Sequence, residues 1–331
     1  MKFIKKEDTL YHKKYRFLGI KITVKKTRPS NMSVKKKVKT LKRIFFNETG
    51  YELNLSDPHT FNEKINWLKL FYRDDLMTKI VDKYEFKNYI RTQIGDGYTV
   101  PLLGAWDRVE DIDFDQLPNK FVLKCNAQSD GKFIKIIHDK TKLNIEALKR
   151  EMQNWLKPDF TLKTSYCWAY HNVPLKIIAE EYIEQIDGQV YDYKFMCYWG
   201  EPKFVLAICD RENSQYSISY YDTTWNKLDV KYKGKKVFDN KDVKKPENFS
   251  KMLEISKVLS KNFPLVRVDF YEIDSKILLG EMTFYPTGGY GKYEPREWDQ
   301  KAGEWLDLSN IAPERLSGPK KYVASMQRRC E

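Results

Sequence analysis

The chain has 331 residues, enough for one large domain or two to three smaller ones. Apolar residues make up 41% of it and aromatic residues 15%, which excludes global disorder. The longest stretch without Asp, Glu, Lys or Arg runs from Thr164 to Leu175. A membrane-spanning helix needs about 20 mostly apolar residues, so we expect no transmembrane segment. The N-terminus has no apolar signal core, so we expect no secretory signal either.

The positive charge is concentrated at the N-terminus. Residues 1–43 contain 16 Lys or Arg and two acids, whereas the whole chain has a net charge of +13, so the remainder is nearly neutral. A nucleic-acid-binding protein usually carries its basic face within the fold, so we expect no nucleic-acid partner. Residues 1–45 are predicted to be a basic arm. Residues 1–43 suit an anionic membrane surface or an acidic polymer, and a solvated leader is the alternative.

The five cysteines are widely spaced and contain no CxxC pair. Reduced thiols in a cytoplasmic protein are the simplest interpretation, and the basic arm allows peripheral attachment to the inner face of the plasma membrane. The cysteines are Cys125, Cys167, Cys197, Cys209 and Cys330.

Residues 46–120 are predicted to be mostly helical. One helical pattern starts at Thr60 or Asn62, and a second runs over Leu76–Ile94 to the turn Gly95–Gly97. An acidic loop follows. The pattern then predicts strands at Phe121–Cys125 and Phe133–Ile137.

After these strands the sequence predicts a helix, then a series of four strands, and then a second helix. The helix spans Leu143–Trp155, and a later helix opens at Pro246–Asn248 and stops at Pro264. The predicted strands are Lys176–Ile183, Tyr191–Trp199, Lys203–Cys209 and Tyr216–Tyr221. They are followed by a β-hairpin of Leu265–Tyr271 and Ile277–Thr283 around a three-residue turn, Asp274–Lys276.

The hairpin suggests a metal site. Side chains alternate along a strand, so Arg267 and Asp269 share one face, as do Glu281 and Thr283. Pairing about the turn places Asp269 opposite Glu281, and opposed carboxylates favour a cation between them. Mg²⁺ prefers one or two carboxylates plus phosphate oxygens. An exposed acid pair neutralised by Arg267 is the alternative.

Two further segments are candidate ligand contacts. The loop after Lys124 is rich in small and polar residues, whose backbone N–H groups can bind phosphate. It is not a P-loop, and an ordinary hairpin turn is the alternative. The segment IIAEEYI, residues 177–183, is an apolar strand ending in acids, which can present backbone groups to a purine edge or simply be a strand end.

Taken together, the order of these segments resembles the TupA-like ATP-grasp proteins of bacterial polysaccharide gene clusters. The resemblance covers roughly residues 45–300. It is carried by LNLSDPHTFNEKINWLKL, VDKYEFKNYI, FDQLPNKFVLKCN, IIAEEYIE, DYKFMCYWGEPKF, FPLVRVDFY and LGEMTFYPTGG. It implies an α+β ATP-grasp fold, with subdomains at 121–183 and 184–331 that clasp ATP after the N-terminal helical part.

The resemblance also implies roles for individual residues. Lys83 and Lys124 match lysines that contact ATP phosphates, and Lys194 matches a position that reaches phosphate or substrate. Arg267 matches the arginine that stabilises the transferred phosphoryl group. Asp269 and Glu281, with Thr283 in place of the usual Asn, match the Mg²⁺ ligands. The remaining contacts implied for ATP are the mobile phosphate loop with Gln128, Ser129 and Gly131, the adenine hinge Glu180, Glu181, Tyr182 and Ile183, and the ribose contact Asp187.

The implied reaction joins a carboxylate to an amine through an acyl phosphate, converting ATP to ADP and phosphate. For a polysaccharide enzyme, the partners would be a sugar acid or glycan and an amino acid. Aromatic loop residues could stack on sugar rings or serve only as packing. They are Tyr166, Trp168, Tyr170, Tyr290 and Tyr293.

Three other functions are open on the sequence. A glycosyltransferase using a nucleotide sugar would need a DxD-type metal site, which Asp111, Asp113 and Asp115 offer, although a solvated loop is the simpler interpretation of these acids. A binding module without catalysis is the second. A nucleic-acid binder is the third, and the neutral body argues against it.

Overall fold

The computed structural model describes residues 33–127, 133–157, 166–183, 191–209, 216–234, 237–239, 241–319 and 322, and the backbone of three N-terminal strands. These strands are β1 (Lys5–Asp8), β2 (His12–Phe17) and β3 (Ile20–Lys25), and they form an antiparallel sheet inside the segment predicted as an arm. None of the described helices is long and apolar enough to cross a membrane.

Four helices follow the N-terminal strands. They are α1 (Val34–Thr49), α2 (Phe61–Phe71), α3 (Asp75–Val81) and α4 (Lys83–Ile94). Helix α1 buries Val38, Leu41 and Phe45, so the boundary predicted at residue 45 falls inside a packed helix. Helix α2 begins with a capping box, in which the Thr60 and Glu63 side chains each accept the other's backbone N–H.

Helices α3 and α4 are separate, and the prediction of one continuous helix from Leu76 to Ile94 is wrong at Asp82. The Asp82 carboxylate accepts the Tyr84 N–H at 2.9 Å, which makes Asp82 the N-cap of α4. Aspartate competes for backbone N–H groups in this way and favours helix starts over helix interiors. Lys83 is therefore the first residue of α4.

A four-stranded antiparallel sheet forms one wall of the cavity described in the next section. Its strands are β4 (Leu102–Trp106), β5 (Phe121–Cys125), β6 (Ile134–Ile137) and β7 (Ile177–Glu181), in the order β4-β7-β5-β6. Helix α5 (Ile145–Trp155) packs on one face, where Met152 joins Phe121 and Leu123 in an apolar core. Because side chains alternate along β5, Lys124 lies on the opposite face.

A six-stranded sheet forms the other wall. Its order is β12-β10-β9-β8-β13-β14, and all neighbours are antiparallel except β10 and β12. The strands are β8 (Asp192–Tyr198), β9 (Glu201–Cys209), β10 (Tyr216–Tyr221), β12 (Val237–Asp239), β13 (Val266–Ile273) and β14 (Lys276–Thr283). Helix α6 (Phe249–Ser260) covers the back of this sheet, with Phe195 between Phe249 and Phe270.

A two-stranded ribbon lies beside this sheet. It consists of β11 (Lys231–Tyr232) and β15 (Tyr293–Glu294), and it is followed by helix α7 (Glu297–Glu304). Helix α2 packs against α7 and against the segment Pro286–Gly289, which follows β14. This packing brings the N-terminal helical part against the six-stranded sheet.

The β13–β14 hairpin differs from its prediction in one respect. Its turn has two residues, Asp274 and Ser275, both with left-handed φ (48° and 61°), and the predicted three-residue turn is wrong. A bulge at Gly280 then shifts the register by one residue. Asp269 pairs with Glu281 and Arg267 with Thr283, so the predicted pairing at the site is observed.

Candidate active site

A cavity of about 420 Å³ lies between the two sheets. Five cationic side chains and three carboxylates are among the described residues that line it. This excess of positive charge favours a polyanionic ligand. The cations are Lys83, Lys87, Lys124, Lys194 and Arg267, and the carboxylates are Glu180, Asp269 and Glu281.

On the four-stranded sheet, Glu180 organises two of the lysines. Its carboxylate binds Lys124 from β5 and lies 2.6 Å from the Lys87 ammonium of α4. Burial alone would raise the pKa of Glu180, but the two ammonium groups outweigh it and hold that pKa below its usual value. Lys124 keeps 24% of its side chain exposed, so it can reach a ligand in the cleft.

The buried side chain of Asn126 fixes the start of α4 to the end of β5. Its amide donates to the Asp82 carboxylate at 2.8 Å and to the Pro174 carbonyl at 2.9 Å. Its side-chain oxygen accepts the Lys176 N–H at 2.8 Å, and its main-chain carbonyl accepts the Lys83 N–H at 2.9 Å. Asn126 therefore ties the start of α4, with Lys83, to the end of β5, two residues beyond Lys124.

On the six-stranded sheet, Asp269 is the centre of a buried ionic network. The Arg267 guanidinium binds both of its carboxylate oxygens at 2.7 Å, and Lys194 of β8 binds one of them. Lys194 also lies 3.0 Å from Asp192. Only 1% of Asp269 is exposed, and this burial raises its pKa against the pull of Arg267 and Lys194.

Glu281 and Thr283 join the same network. Arg267 Nη2 donates to Glu281 Oε1 at 2.8 Å and to Thr283 Oγ1 at 3.1 Å, and Thr283 donates to Glu281 at 3.0 Å. Burial alone would raise the pKa of Glu281, but Arg267, Lys83 and Lys194 lower it to about 2. Lys83 of α4 thus faces Glu281 across the cleft, and burial lowers the Lys83 pKa.

The oxygen donors of Asp269, Glu281 and Thr283 fit a magnesium ion. All three are hard ligands, and Arg267 binds all three in one connected group. Within the described part of the chain, no three His, Cys, Asp or Glu side chains form a complete protein cage for a metal. Magnesium is commonly held by one or two carboxylates together with substrate phosphates, which matches a donor set of this size.

The segment after β14 is held by one polar stripe of helix α2. Asn62, Asn66 and Lys69 occupy successive turns of the helix and bind main-chain atoms of residues 288–291. Lys69 is 1% exposed, donates to the Gly288 carbonyl and Asn66, and lies 4.5 Å from the Tyr290 ring. Burial lowers its pKa to about 8. Pro286 and Thr287 of this segment line the cavity.

The structure brings most of the predicted site residues together. Lys83, Lys124, Glu180, Lys194, Arg267, Asp269 and Glu281 line the cavity, and Thr283 is hydrogen-bonded to two of them. Glu181, Tyr182 and Ile183 are not among the described lining residues. The Glu181 N–H donates to the Pro101 carbonyl, and Tyr182 contacts the His138 ring. Gln128, Ser129, Gly131 and Asp187 lie outside the described residues.

Three contributors were missed in the sequence. Lys87 lies one helical turn after Lys83, and this i, i+4 spacing could have indicated it. Asp192 lies two residues before Lys194 on β8, so strand alternation could have placed the two side chains on one face. Nothing in the sequence pattern singles out Asn126, because its importance depends on long-range contacts.

The acids considered for a glycosyltransferase lie elsewhere. Asp111, Asp113 and Asp115 are exposed residues in short 3₁₀ turns between β4 and β5. Asp113 accepts the Asp115 N–H at 3.0 Å, which is the role of a turn residue. None of the three is among the described residues lining the cavity. The geometry therefore favours the solvated-loop interpretation.

Two sheets, antiparallel apart from the β10–β12 pair, face each other across a cleft. One carries Lys124 and Glu180, and the other carries Lys194, Arg267, Asp269 and Glu281. This arrangement defines an α+β protein of the ATP-grasp class. A family model described as TupA-like ATPgrasp matches residues 63–307. The chain therefore belongs to the TupA-like ATP-grasp family, as its motifs predicted.

Several solved structures are similar at low identity. The D-alanine–D-alanine ligase from Bacillus anthracis complexed with ATP is 15% identical with a TM-score of 0.41, covering 76% of this chain and 66% of that one. The same ligase from Helicobacter pylori is 15% identical with a TM-score of 0.40, covering 74% and 67%. The ADP complex of purK, N5-carboxyaminoimidazole ribonucleotide synthetase, is 12% identical with a TM-score of 0.39, covering 63% and 46%.

The chain therefore spans less than two thirds of the first and third of these proteins. No curated protein sequence matches the chain. The family assignment rests on the match over residues 63–307.

Proposed function

We propose that the protein joins a carboxylate to an amine in bacterial cell-surface polysaccharide biosynthesis, converting ATP to ADP and phosphate. The observation that supports this proposal is the charge of the cleft. Lys83, Lys87 and Lys124 lie on one side of it, Lys194 and Arg267 lie on the other, and three carboxylates line it with them. Such an arrangement suits a bound triphosphate and the charge that develops as its terminal phosphoryl group is transferred.

The nucleotide would lie between the subdomains 121–183 and 184–331. Lys83, Lys124 and the loop of Gln128, Ser129 and Gly131 would hold the phosphates. The segment from Glu180 to Ile183 would hold adenine, and Asp187 the ribose. The apolar side chains of Val100, Ile134 and Leu279 line the same cavity and fit a nucleobase beside Glu180.

The chain's own residues would then act on the transferred group. The carboxylate of one substrate attacks the γ-phosphorus of ATP, the bond to the β–γ bridging oxygen breaks, and ADP leaves. The amine attacks the resulting acyl carbon, phosphate leaves, and the amine proton passes to water. Arg267 and Lys194 stabilise negative charge on the phosphoryl oxygens and orient the attacking carboxylate. Magnesium held by Asp269, Glu281 and Thr283 would neutralise phosphate charge.

The carboxylate and amine would come from a sugar acid or glycan and an amino acid. The described part of the basic segment supports attachment to an anionic membrane from the cytoplasmic side. On α1, Lys35, Lys36, Lys39 and Lys42 are all exposed. Lys35 and Lys36 lie in the first turn, where cations oppose the helix dipole, and the four exposed lysines together suit an anionic partner.

The first experiment is a thermal shift with Mg·AMP-PNP. At 100 times its Kd, a ligand stabilises the native state by about 2.7 kcal/mol. We expect a shift in the wild type that is lost in Lys124→Ala and Asp269→Asn. Matched controls are Lys135→Ala, on the neighbouring strand and half-exposed, and Asp113→Asn, which tests the glycosyltransferase acids. A shift with nucleotide sugars alone, lost in Asp113→Asn, would overturn the proposal.

Activity is tested separately by ADP release. We expect release above background only when wild-type enzyme receives Mg·ATP and a suitable pair of carboxylate and amine. Full activity in Arg267→Met would contradict the assigned role of Arg267.

A further inference from the structure

The cavity has two chemically different halves on the same face of the six-stranded sheet. The charged half, described above, lies on β8, β13 and β14. The other half lies over β9 and β10 and is lined by Phe204, Leu206 and Tyr220, which continue the face that carries Lys194. No described lining residue of this second half carries a charge. We call it the aromatic half.

Four tyrosines line the aromatic half. They are Tyr216 and Tyr220 of β10, Tyr232 of β11 and Tyr293 of β15. The rings of Tyr232 and Tyr293 lie 6.0 Å apart. Burial raises the pKa of the Tyr220, Tyr232 and Tyr293 phenols, so these three are neutral at physiological pH. They can donate and accept hydrogen bonds without adding charge.

The Tyr220 hydroxyl is a buried polar atom without a hydrogen-bond partner among the described residues. Its residue is 1% exposed and its ring packs against Phe204 and Trp298. Buried polar groups are nearly always paired in folded proteins, and a ligand hydroxyl would reach this one only after the surrounding side chains shift as the ligand binds. Of the loop aromatics suggested for sugar stacking, Tyr293 lines the cavity, whereas Trp168 and Tyr290 pack against Arg73 and Lys69.

The chemistry of this half selects one ligand class. Aromatic faces pack well against the C–H groups of a pyranose ring, and neutral phenols match its hydroxyl groups. A free amino acid would bring an ammonium and a carboxylate, each of which would need a counter-charge that the described lining of this half lacks. A sugar ring fits it, with any acidic group directed toward the charged half.

We infer that the aromatic half binds the ring of a sugar acid and that the sugar carboxylate, directed toward Lys194 and Arg267, is the group that is phosphorylated. This inference rests on the proposed ligase function and adds which substrate is activated. The carboxylate oxygen forms a bond to the γ-phosphorus as ADP leaves. The amino acid then enters as the amine, and its nitrogen displaces phosphate from the sugar acyl carbon.

Hydroxylamine trapping tests the inference, because hydroxylamine converts an acyl phosphate to a hydroxamate and releases phosphate. Wild-type enzyme receives Mg·ATP, hydroxylamine and either a panel of hexuronates and their methyl glycosides or a panel of amino acids. Mass spectrometry then identifies the hydroxamate. We expect a hexuronate hydroxamate and none from the amino acids. Amino-acid hydroxamates alone, or none from any hexuronate, would overturn the inference.

The Tyr220→Phe variant tests the location of the ring. Removing one ligand-binding hydroxyl should raise the half-saturating hexuronate concentration about threefold to tenfold and leave that for ATP unchanged. Tyr198→Phe is the matched control, because the Tyr198 hydroxyl is also buried and unpartnered among the described residues but does not line the cavity. Equal effects of the two variants would place the ring elsewhere.

Failure of the proposed function gives a different result. If Mg·AMP-PNP does not bind and no panel releases ADP, the ligase proposal itself fails. If Mg·AMP-PNP binds and an amino acid is the acid that is trapped, only the sugar-ring inference fails.

Discussion

The two sheets that form the cleft hold their charges in different ways. On the four-stranded sheet, Glu180 is shared by two lysines, and Lys124 remains partly exposed. On the six-stranded sheet, Asp269 is buried under Arg267 and Lys194, and every charge has a partner of opposite sign within the network. One wall can exchange its ion pairs for ligand contacts, whereas the other is preorganised at the cost of burying charge.

The largest expected effect on the free energy of unfolding comes from breaking the ionic network on the six-stranded sheet. Arg267→Met leaves Asp269 and Glu281 facing each other with less compensation, so we expect a loss of about 3–5 kcal/mol in the free energy of unfolding. Lys124→Met should cost less than about 1.5 kcal/mol, because Lys87 still pairs with Glu180. Urea unfolding of both variants measures the difference. Adding Asp269→Asn to Arg267→Met should recover part of the loss, and equal costs for the two single variants would contradict the comparison.

Lys69 sharpens the comparison, because it is a buried lysine with no ion pair to a carboxylate among the described residues. Lys69 has a pKa of about 8, below its usual 10.5, so its burial penalty is present below pH 8 and is relieved as the pH rises. Between pH 8 and 9.5, we expect its contribution to the unfolding free energy to rise by about 2 kcal/mol. Lys69→Met should lack this rise, whereas Lys39→Met, on the exposed face of α1, should keep it. Parallel pH dependence in wild type and Lys69→Met would refute the account.

Unfolding free energies measured at acidic pH test the ionic network on the six-stranded sheet. Glu281 has a pKa of about 2, below its usual 4.5, so its stabilising contribution is present above pH 4.5 and is lost as the pH falls toward 2. Glu281 is 33% exposed, so we expect about 1–2 kcal/mol, less than the full shift would give. The stability difference between pH 5 and pH 3 should be smaller in Glu281→Gln than in wild type. An unchanged difference would show that Glu281 is not stabilised by its cations.

An effect no larger than this concerns the bulge in β14. A Cβ at Gly280 would lie 2.7 Å from the Tyr271 ring, so Gly280→Ala should cost about 1–2 kcal/mol in unfolding free energy. In a Tyr271→Ala background the ring is gone, so Gly280→Ala should lose most of its cost, and the two positions should therefore be coupled. A double-mutant cycle by urea unfolding measures this coupling. Strict additivity would mean that the ring moves aside freely.

The hairpin shows how far the sequence could predict the site. Alternation and pairing about Asp274–Lys276 placed Asp269 opposite Glu281 and Arg267 opposite Thr283, which is observed. The predicted turn was one residue too long, and the bulge at Gly280 restores the register that this error would have shifted. A single glycine in a strand indicates a bulge only weakly, because close backbone approach is an equally good reason for it.

Other features depended on tertiary contacts. The break at Asp82 was missed because apolar residues continue with helical spacing on both sides, while Asn126, directly after β5, holds the Asp82 carboxylate in its capping position. The aromatic half was not predicted because β15, which contributes Tyr293, is distant in sequence from β9, β10 and β11. The roles implied for Glu181, Tyr182 and Ile183 remain predictions, since the resemblance orders segments along the chain but does not fix which side chains enter the cavity.

The hydrogen bonds of Asn126 have a consequence for how variants of this protein are interpreted. Asn126 is fully buried and is not among the described residues lining the cavity, yet it holds the start of α4, with Lys83, against the end of the strand that carries Lys124. Replacing either lysine removes one charge and leaves the other in place. Replacing Asn126 would remove no charge and would loosen the alignment of Lys83 with Lys124. An Asn126 variant would therefore show weakened ligand binding, although Asn126 itself is not among the described residues that line the cavity.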